Sequence, residues 1–477
     1  MRTTVLLSAS LGLALLLSCG AVLAGFGPTG ASAQTQERPN ILLVVTDDLD
    51  DRPSSISRMG NLRSLVADRG VTFSNAYVTQ GLCCPSRASM LRGQYPHNTG
   101  VTDNTGDAYA DFFSSGKEAN TFATWVREAG YRTAYFGKYL NGYGTTRIPE
   151  GWDRWFSDIG RSKEQNFNDQ GRKVYFSPSR HLFEDVLREE ALEWLRSRDG
   201  APEPFLAVLS THAPHSPATP ARRHAKLFPG ADLPKPESFN EKQVGDKNGW
   251  IKRLEPLSRA QIDEMETLYR DRLRVMEGVD EMLADVLSEL DAQGELDNTY
   301  VFFTSDNGYH LGEHRFHQGK ETPYEEDISV PMIVSGPGVA AGVTRPQMVL
   351  NQDLAPTFAE IAGAEAPPFV DGRSFLPALG ATPPPTSGWR DAFLVNSPAT
   401  ATGWLKDMPN NLAVRTPGYE YIDYSRGKDE LYDMSRDPHQ ARSIHAVPPD
   451  GVLAEMRADL AGLRNCAGEA CAKAEGP

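Results

Sequence analysis

The sequence predicts an α/β fold, in which a large, mostly parallel sheet is flanked by helices and followed by a small α+β subdomain. Strand-like and helix-like patterns alternate from Pro39 onward, which is typical of chains that build a parallel sheet. The strand-like runs are continuously apolar, as expected of strands buried on both faces. Hydrophobic residues make up 40% of the 477 residues, and no repeat or low-complexity tract interrupts them. This composition argues against a disordered chain.

Each strand of the predicted sheet is a short apolar run bounded by turn residues. The runs are residues 41–45, 71–77, 133–136, 205–209, 300–303 and 331–334. Helical patterns lie between them, and the clearest are residues 181–198 and 258–293. These elements predict a main α/β domain over residues 38–365.

Prolines mark the end of that domain. They cluster at residues 367–368 and 383–385, so we predict a linker over residues 366–390. Beyond it, residues 392–395, 412–415 and 419–424 have strand patterns, and residues 452–463 have a helical one. Residues 391–477 are therefore predicted to form the small α+β subdomain.

The first 33 residues have the pattern of an export signal. Arg2 precedes an almost wholly apolar run over residues 5–17, and residues 31–33 read Ala-Ser-Ala, a small-residue cleavage site. Two alternatives stay open. Cys19 ends a Leu-Leu-Ser-Cys sequence that resembles a lipoprotein processing box, and residues 5–26 could span a bilayer uncleaved. We predict a secreted or cell-envelope protein whose mature chain has no membrane span, because no later apolar run is long enough.

The four cysteines other than Cys19 fall into two pairs with different expected states. Export favours a disulfide between Cys466 and Cys471 near the end of the chain. Cys83 and Cys84 are poor partners for each other, because a bridge between neighbours strains the peptide that joins them. The second pair therefore needs another explanation.

The charge balance argues against polyanionic partners. The formal net charge is −15 and the isoelectric point is near 5.2. Nucleic acid or a heparin-like polymer would be repelled by such a chain. A site for an anion must be locally basic.

The most specific motif surrounds Cys83. Residues 83–87 read Cys-Cys-Pro-Ser-Arg, and Leu91 and Gly93 follow. Pro85 suits a first helical turn, so Cys83 is predicted to lie at the N-terminus of a helix. Backbone N–H groups and the helix dipole favour an anion there.

Oxygen-bearing side chains follow two predicted strands. Asp47 and Asp48 come after the first strand, and Asp306 and Asn307 come after the strand at residues 300–303. Either pair alone could be a helix cap or a turn. Ligand sites in α/β sheets gather at the carboxyl ends of strands, and an all-oxygen set suits Ca²⁺ or Mg²⁺ rather than zinc. We predict a calcium site, with magnesium as the alternative.

Basic side chains stand in three further loops. Lys138 follows the predicted strand at residues 133–136, and Lys320 lies in a Gly-Lys-Glu-Thr-Pro-Tyr-Glu sequence. His212 and His215 share the loop after the strand at residues 205–209. Each alone would be an ordinary surface residue.

Together these motifs resemble those of the sulfatase family. The resemblance runs from Pro39 to Cys471 and is closest to the N-acetylglucosamine-6-sulfatase branch. It implies an alkaline-phosphatase-like fold and hydrolysis of a sulfate monoester. It also implies that a maturation enzyme oxidises Cys83, not Cys84, to formylglycine. The hydrated aldehyde would be the nucleophile and would lie against the metal.

The resemblance also implies roles for the other polar residues. Arg87, Lys138 and Lys320 would hold sulfate oxygens, and His215 with Lys320 would protonate the leaving alcohol. His212 looks secondary. The motifs also imply three substrate-contacting residues, namely His97, Asn141 and His310.

One position departs from the pattern of many sulfatases. They carry a histidine two places after the first lysine, as the base that expels sulfate, whereas this chain has Leu140. The departure is shared with the glucosamine-6-sulfatase branch. The base is therefore unassigned, and His310 and His97 are candidates only.

Two other functions stay open on the sequence. A phosphomonoesterase or phosphodiesterase of the same wider fold would bind a similar anion, although it would more often use Ser or Thr with two histidine-rich metal sites. A cell-envelope binding protein that lost the chemistry is the second alternative.

The expected substrate is small. Sulfatases that act inside heparan chains carry a long basic insertion, which this acidic chain lacks. We predict an aryl sulfate or the 6-O-sulfate of a terminal glucosamine-type sugar.

Overall fold

The computed structural model describes residues 38–105, 108–159, 165–178, 182–398 and 405–477, without the side chains of residues 53 and 54. They belong to one compact unit that begins at Arg38. The predicted export signal, with Cys19, lies outside the described residues. Within these ranges, no helix is both long and apolar enough to cross a membrane.

The described residues form sixteen strands. They are β1 Asn40–Asp47, β2 Val71–Phe73, β3 Ala76–Tyr77, β4 Arg132–Gly137, β5 Arg154–Asp158, β6 Asn166–Asp169, β7 Arg172–Tyr175, β8 Phe205–Pro214, β9 Thr299–Ser305, β10 Met332–Ser335, β11 Val343–Arg345, β12 Val349–Leu350, β13 Phe393–Ser397, β14 Asn411–Arg415, β15 Tyr419–Tyr424 and β16 Glu430–Asp433.

The α-helices of the same ranges vary from four to 34 residues. They are α1 Pro53–Ile56, α2 Cys83–Arg92, α3 Pro96–Thr99, α4 Ala108–Ser114, α5 Phe122–Glu128, α6 Phe183–Arg196, α7 Gly249–Lys252, α8 Arg259–Ala292, α9 Glu325–Ile328, α10 Leu354–Ala362, α11 Leu376–Leu379, α12 Val452–Leu463 and α13 Glu469–Ala474. Short 3-10 or π segments are Leu62–Val66, Ala67–Arg69, Lys117–Ala119, Leu296–Asn298, Asn351–Asp353 and Thr386–Gly388.

The main sheet has ten strands in the order β11-β2-β10-β9-β1-β8-β4-β5-β6-β7. Its central strands, β9, β1, β8, β4 and β5, are parallel neighbours, as the continuous apolar runs predicted. All eight residues of β1 are buried. The flanks are antiparallel at β10 and at β6.

Two of the predicted strands differ in detail from the strands observed in the structure. The run at residues 331–334 forms β10, but β10 runs antiparallel to β9, because a four-residue apolar run carries no information about direction. The run at residues 71–77 divides into β2 and β3, which join different sheets. Strands β5 to β7 were not predicted at all.

The two long predicted helices form α6 and α8. Ser258 caps α8, because its hydroxyl accepts from the Gln261 amide while the Gln261 side chain accepts from the Ser258 amide. Helices α6 and α8 pack against each other and on β8. Of the predicted α6 segment, residue 181 lies outside the described residues.

The C-terminal part contains an antiparallel sheet in the order β13-β14-β15-β16, with α12 packed on it. Cys466 and Cys471 are joined by a disulfide. Arg390, at the end of the predicted linker, is fully buried between Asp353 of the main domain and Glu475 near the chain end. Its guanidinium therefore joins the chain end to the 3-10 segment Asn351–Asp353.

Candidate active site

The carboxyl ends of β1 and β9 carry the predicted metal ligands. Thr46 pairs with Ser305 in this parallel pair, so the residues that follow the two strands meet at one edge of the sheet. Asp48 has a left-handed backbone with φ +70°, and its amide donates to Asp306 Oδ1 at 3.1 Å. The register thus joins two acidic segments that are far apart in sequence. All four predicted ligands are at most 1% exposed: Asp47, Asp48, Asp306 and Asn307.

Helix α2 directs its N-terminus at this acidic edge. Cys83 follows the extended Leu82, and Pro85 lies in the first turn, where a missing N–H costs no hydrogen bond. Cys83 Sγ lies 3.4 Å from Asp47 Oδ1 and 3.9 Å from Asp48 Oδ1. The predicted helix start at Cys83 is therefore confirmed, and the thiol faces the carboxylates.

Two lysines neutralise these carboxylates. Lys138, directly after β4, donates to Asp47 Oδ2 at 2.6 Å. Lys320 contacts Asp48 and lies 2.6 Å from Cys83 Sγ. Their side chains are only 10% and 11% exposed, so neither is an ordinary surface lysine. The site therefore contains the positive side chains that an anion requires, although each is paired with a carboxylate.

Arg87 fixes the third positive charge one turn into α2. Its Nε donates to Asp306 Oδ2 at 2.7 Å, and its Nη1 donates to the Lys138 carbonyl at 2.8 Å and to Ser210 Oγ at 2.6 Å. Its Nη2 is buried and has no hydrogen-bond partner among the described residues. One donor of a rigidly held guanidinium is therefore free for a ligand.

Burial and charge act in opposite directions on the titratable groups. Burial favours a neutral Asp47, but Lys138 and other positive side chains outweigh it and hold the Asp47 pKa well below its usual range. Burial raises the pKa of Asp306, even though Arg87 opposes it. Burial also raises the pKa of the Cys83 thiol. Unmodified Cys83 is thus a neutral thiol and a weak nucleophile.

A cavity of about 320 Å³ opens beside Asp47 and Lys138. His215 lies on its wall, with Nε2 3.8 Å from Asp48 Oδ2 and Nδ1 2.7 Å from the Ser216 carbonyl oxygen. Other wall residues come from the segment that follows β4 and from the end of β5: Tyr139, Leu140, Asn141, Tyr143 and Asp158. The cavity gives a small ligand access to the buried charges.

His212 is held between two carboxylates on the same wall. Its Nδ1 lies 3.6 Å from Asp47 Oδ2 and its Nε2 lies 3.1 Å from Asp158 Oδ2. Burial would lower the His212 pKa, but Asp158 outweighs it and raises that pKa to about 9. Sequence reasoning missed Asp158, because β5 was not recognised as a strand. The sequence signal that could have identified it is an acidic residue at the end of the short aromatic segment Arg154–Asp158.

The three predicted substrate-contacting residues fall in different places. Asn141 lies on the cavity wall, and its Oδ1 is buried without a hydrogen-bond partner in the described ranges. His97 lies elsewhere, with Nε2 2.9 Å from the Cys466 carbonyl oxygen. His310 is fully buried and its Nδ1 lies 2.6 Å from Asp327 Oδ1. The structure brings only Asn141 of these three to the cavity wall.

The fold and the site together are typical of hydrolases with an α/β fold whose charged groups at the carboxyl edge of the sheet suit a small tetrahedral anion. Residues 39–364 match the sulfatase family model, and residues 312–465 match a model described as N-sulphoglucosamine sulphohydrolase, C-terminal. The chain therefore belongs to the sulfatase family and is a sulfuric ester hydrolase.

Individual relatives agree with this assignment. The chain is 34% identical over 489 residues to N-acetylglucosamine-6-sulfatase of Capra hircus, across 93% of this chain and 86% of the relative. It is 37% identical to the extracellular sulfatase SULF-1 homolog of Drosophila melanogaster, across 77% of this chain and 34% of that relative. A solved structure in complex with its substrate D-glucosamine-2-N,6-O-disulfate matches with a TM-score of 0.72 and 25% identity, covering 88% of this chain and 95% of that one. The predicted alkaline-phosphatase-like fold is confirmed.

Proposed function

We propose that this protein removes the 6-O-sulfate from a terminal N-acetylglucosamine-type sugar, with a formylglycine derived from Cys83 and a bound calcium ion. One observation carries the proposal. Cys83 is the first residue of α2. Its side chain lies against three buried carboxylates and beside the ammonium group of Lys320. A nucleophile at position 83 would thus sit among cations that can hold a sulfate.

The residues present fit a hard cation. One oxygen each of Asp47, Asp48 and Asp306, with Cys83 Sγ, lie within 4.8 Å of one another. Asn307 adds a buried Oδ1 that has no hydrogen-bond partner in the described part of the chain. Oxygen donors of this kind suit Ca²⁺, with Mg²⁺ as the alternative. The three carboxylates and Asn307 would hold the ion.

The neutral thiol explains why a modification is needed. Burial keeps Cys83 protonated, so the unmodified side chain would attack sulfur poorly. A hydrated formylglycine would supply an oxygen nucleophile instead, and a calcium ion held by Asp47, Asp48, Asp306 and Asn307 would lower the cost of ionising it. The aldehyde requires a maturation enzyme, and export through the predicted signal would follow that step.

The chain's own cations then act on the sulfate. Arg87 offers its free Nη2, Lys138 pairs with Asp47, and Lys320 lies beside the nucleophile position. Donors fixed in place before the reaction stabilise the developing charge on the non-bridging oxygens, an effect worth about 3–4 kcal/mol per donor in comparable sites. These donor groups therefore need little movement during the reaction.

Two histidines serve the leaving group and the product. His215 Nδ1 lies against a carbonyl oxygen and its ring lies on the cavity wall, so the imidazolium form of His215 can give its Nε2 proton to the departing alcohol. His212 carries a positive charge at neutral pH and adds to the binding of sulfate. Leu140 occupies the cavity wall where many sulfatases have a histidine. Because His97 and His310 lie away from the cavity wall, His215 is the better candidate for the proton transfers.

The size of the cavity supports a small substrate. Its volume of about 320 Å³ lies at the lower end of the roughly 300–1,000 Å³ usual for small-molecule pockets. Asn141 contributes an unpaired Oδ1 as an acceptor for a sugar hydroxyl. A single sugar fits this space better than the interior of a polymer. The relative named for N-acetylglucosamine-6-sulfatase supports the choice of sugar.

Peptide mass spectrometry and turnover test the mechanism together. Exported protein should carry the aldehyde at Cys83 and a plain thiol at Cys84. Cys83→Ala should abolish hydrolysis of a chromogenic aryl sulfate, whereas the neighbouring Cys84→Ala, the matched control, should keep most of it. An unmodified Cys83 in fully active enzyme contradicts the proposal. Faster turnover of the corresponding aryl phosphate would favour a phosphatase, and turnover of neither would favour a binding protein.

The substrate is tested with defined sulfated sugars. A 6-sulfated N-acetylglucosamine at a non-reducing end should lose sulfate faster than internal residues of heparan or a 2-sulfated uronic acid. Release positions are read by mass spectrometry. Equal release from polymer interiors contradicts the terminal specificity, and activity confined to aryl sulfates contradicts the sugar assignment.

A further inference from the structure

A second group of metal-binding side chains lies outside the proposed catalytic site. His310, His314 and Glu326 belong to the segment between β9 and β10, and one ligand atom from each lies within 4.8 Å of the others. Both histidine side chains are 0% exposed and the Glu326 side chain is 9% exposed. Neither the predicted calcium site nor the proposed reaction uses these three residues.

Each histidine ring is oriented by a carboxylate at its other nitrogen. His310 Nδ1 lies 2.6 Å from Asp327 Oδ1, and His314 Nδ1 lies 3.0 Å from Glu241 Oε1. Donation of the Nδ1 proton to a carboxylate leaves the Nε2 lone pair free. Histidines that bind metals almost always make this outer contact, which fixes the tautomer and increases the basicity of the ligand.

The atoms that face one another have no hydrogen-bond partner. His310 Nε2, His314 Nε2 and Glu326 Oε2 are all buried and unpaired among the described residues. Glu326 Oε2 lies 3.8 Å from His310 Nε2 and 3.6 Å from His314 Nε2. In a tetrahedral site with bonds of about 2.0–2.2 Å, ligand atoms stand about 3.3–3.5 Å apart. The two Glu326 distances exceed that spacing by only a few tenths of an ångström, and the two histidine nitrogens lie within 4.8 Å of each other.

We propose that His310, His314 and Glu326 bind a divalent transition-metal ion, with Zn²⁺ the best match. Two imidazoles and one carboxylate suit zinc, whereas calcium prefers an all-oxygen set. Converging lone pairs in a buried space are unfavourable without a cation between them. Glu326 also lines a cavity of about 570 Å³, which gives an ion a path to the ligands.

The ion would brace the loop that carries Lys320. The His310 amide donates to the Gly319 carbonyl at 2.7 Å, directly before Lys320. Asp327, which orients His310, also accepts from the Thr322 amide at 2.8 Å and from its hydroxyl at 2.7 Å. The hydrogen bonds of the cluster thus flank Lys320 on both sides. The role is structural, and the metal site does not depend on the proposed substrate.

Anomalous scattering tests the site directly in the wild-type protein. The full chain is saturated with calcium, equilibrated with Zn²⁺ and crystallised, and data are collected at the zinc absorption edge. A peak is expected within bonding distance of His310 Nε2, His314 Nε2 and Glu326 Oε2. The absence of a peak there overturns the proposal. A protonated His310 paired with Glu326, or a buried water, would then explain the geometry.

Variants with a matched control provide a second measurement. His314→Asn keeps a donor near the former Nδ1 but deletes Nε2, and Glu326→Gln keeps the shape of the side chain. Each should weaken Zn²⁺ binding by at least the roughly 10–100-fold that loss of an outer contact costs. His317→Asn is the control, because His317 lies on the same loop and pairs with Glu264 instead.

Zinc affinity is measured by equilibrium dialysis, and the zinc-induced rise in the thermal midpoint is measured alongside it. The control should match the wild type in both. Equal zinc affinity in the wild type and in Glu326→Gln contradicts the proposal. Neither measurement uses sulfatase activity, so failure of the proposed substrate would leave the result unaffected.

Discussion

Replacing Arg87 with lysine separates charge from geometry in the proposed sulfate site. The change keeps one positive charge at the same place in α2. A lysine ammonium, however, cannot reproduce the planar fork that reaches Asp306, the Lys138 carbonyl and Ser210 at once. Two effects are therefore expected, one on stability and one on turnover.

The size of each effect follows from the hydrogen bonds that the substitution removes. The bond to Asp306 joins two charged groups and is worth about 1.5–3 kcal/mol, and each bond to an uncharged acceptor is worth about 0.5–1.5 kcal/mol. A lysine that keeps only one bond to an uncharged acceptor loses the Asp306 bond and one other, which should cost about 2–4.5 kcal/mol of unfolding free energy. Loss of the free Nη2 donor removes one preorganised hydrogen bond to sulfate, for which a decrease of about 10²–10³ in kcat is typical.

Arg92→Lys is the matched control. Arg92 lies on the same helix, is also buried, and reaches three acceptors of its own through Nε and Nη1. It does not contact the carboxylates of the site. Arg92→Lys should therefore cost similar stability in a urea titration but leave kcat/KM for an aryl sulfate close to the wild-type value.

The comparison has two outcomes that would refute the reasoning. A kcat/KM of Arg87→Lys within about threefold of the wild type, a free-energy difference below about 0.7 kcal/mol, would show that geometry at this position is unimportant. An equal loss of activity in Arg92→Lys would show that damage to α2, not loss of a hydrogen bond to sulfate, is responsible.

Three further predictions concern stability. Arg390→Met leaves the buried carboxylates of Asp353 and Glu475 without their shared cation, so urea titration should show a loss of about 3–5 kcal/mol, and an unchanged value would contradict this. Burial, together with Asp50, raises the pKa of Asp51 to about 7. Between about pH 4 and pH 7 the folded state then holds a proton that the unfolded state releases, so stability falls as pH rises. In Asp51→Asn, the loss of stability between about pH 4 and pH 7 should be smaller, by a few kcal/mol at most. An unfolding free energy with the same pH dependence as the wild type would contradict this prediction. Chelation of calcium should abolish activity and lower the thermal midpoint, since a ligand at 100 times its Kd adds about 2.7 kcal/mol; full activity in metal-free protein would contradict this.

Local signals in the sequence were enough for much of the fold. The apolar run of β1, the start of the helical pattern of α8 at residue 258 and the helix start at Cys83 each depend on a few consecutive residues. The spacing of the Cys83 motif and the acidic residues after β1 and β9 also predicted which side chains gather at the sheet edge. Strands that are parallel neighbours must end at the same edge, so this part of the site needed no coordinates.

The tertiary structure decided what depends on packing between distant segments. The direction of β10 and the position of Asp158 against His212 follow from packing across the sheet, which no short pattern encodes. His97 and His310 stand in motifs beside the others, yet one lies at the disulfide and the other is buried against Asp327. Sequence proximity constrains a side chain only over a few residues. Its surroundings are set by how whole elements pack, because most of the free energy of folding comes from burial between them.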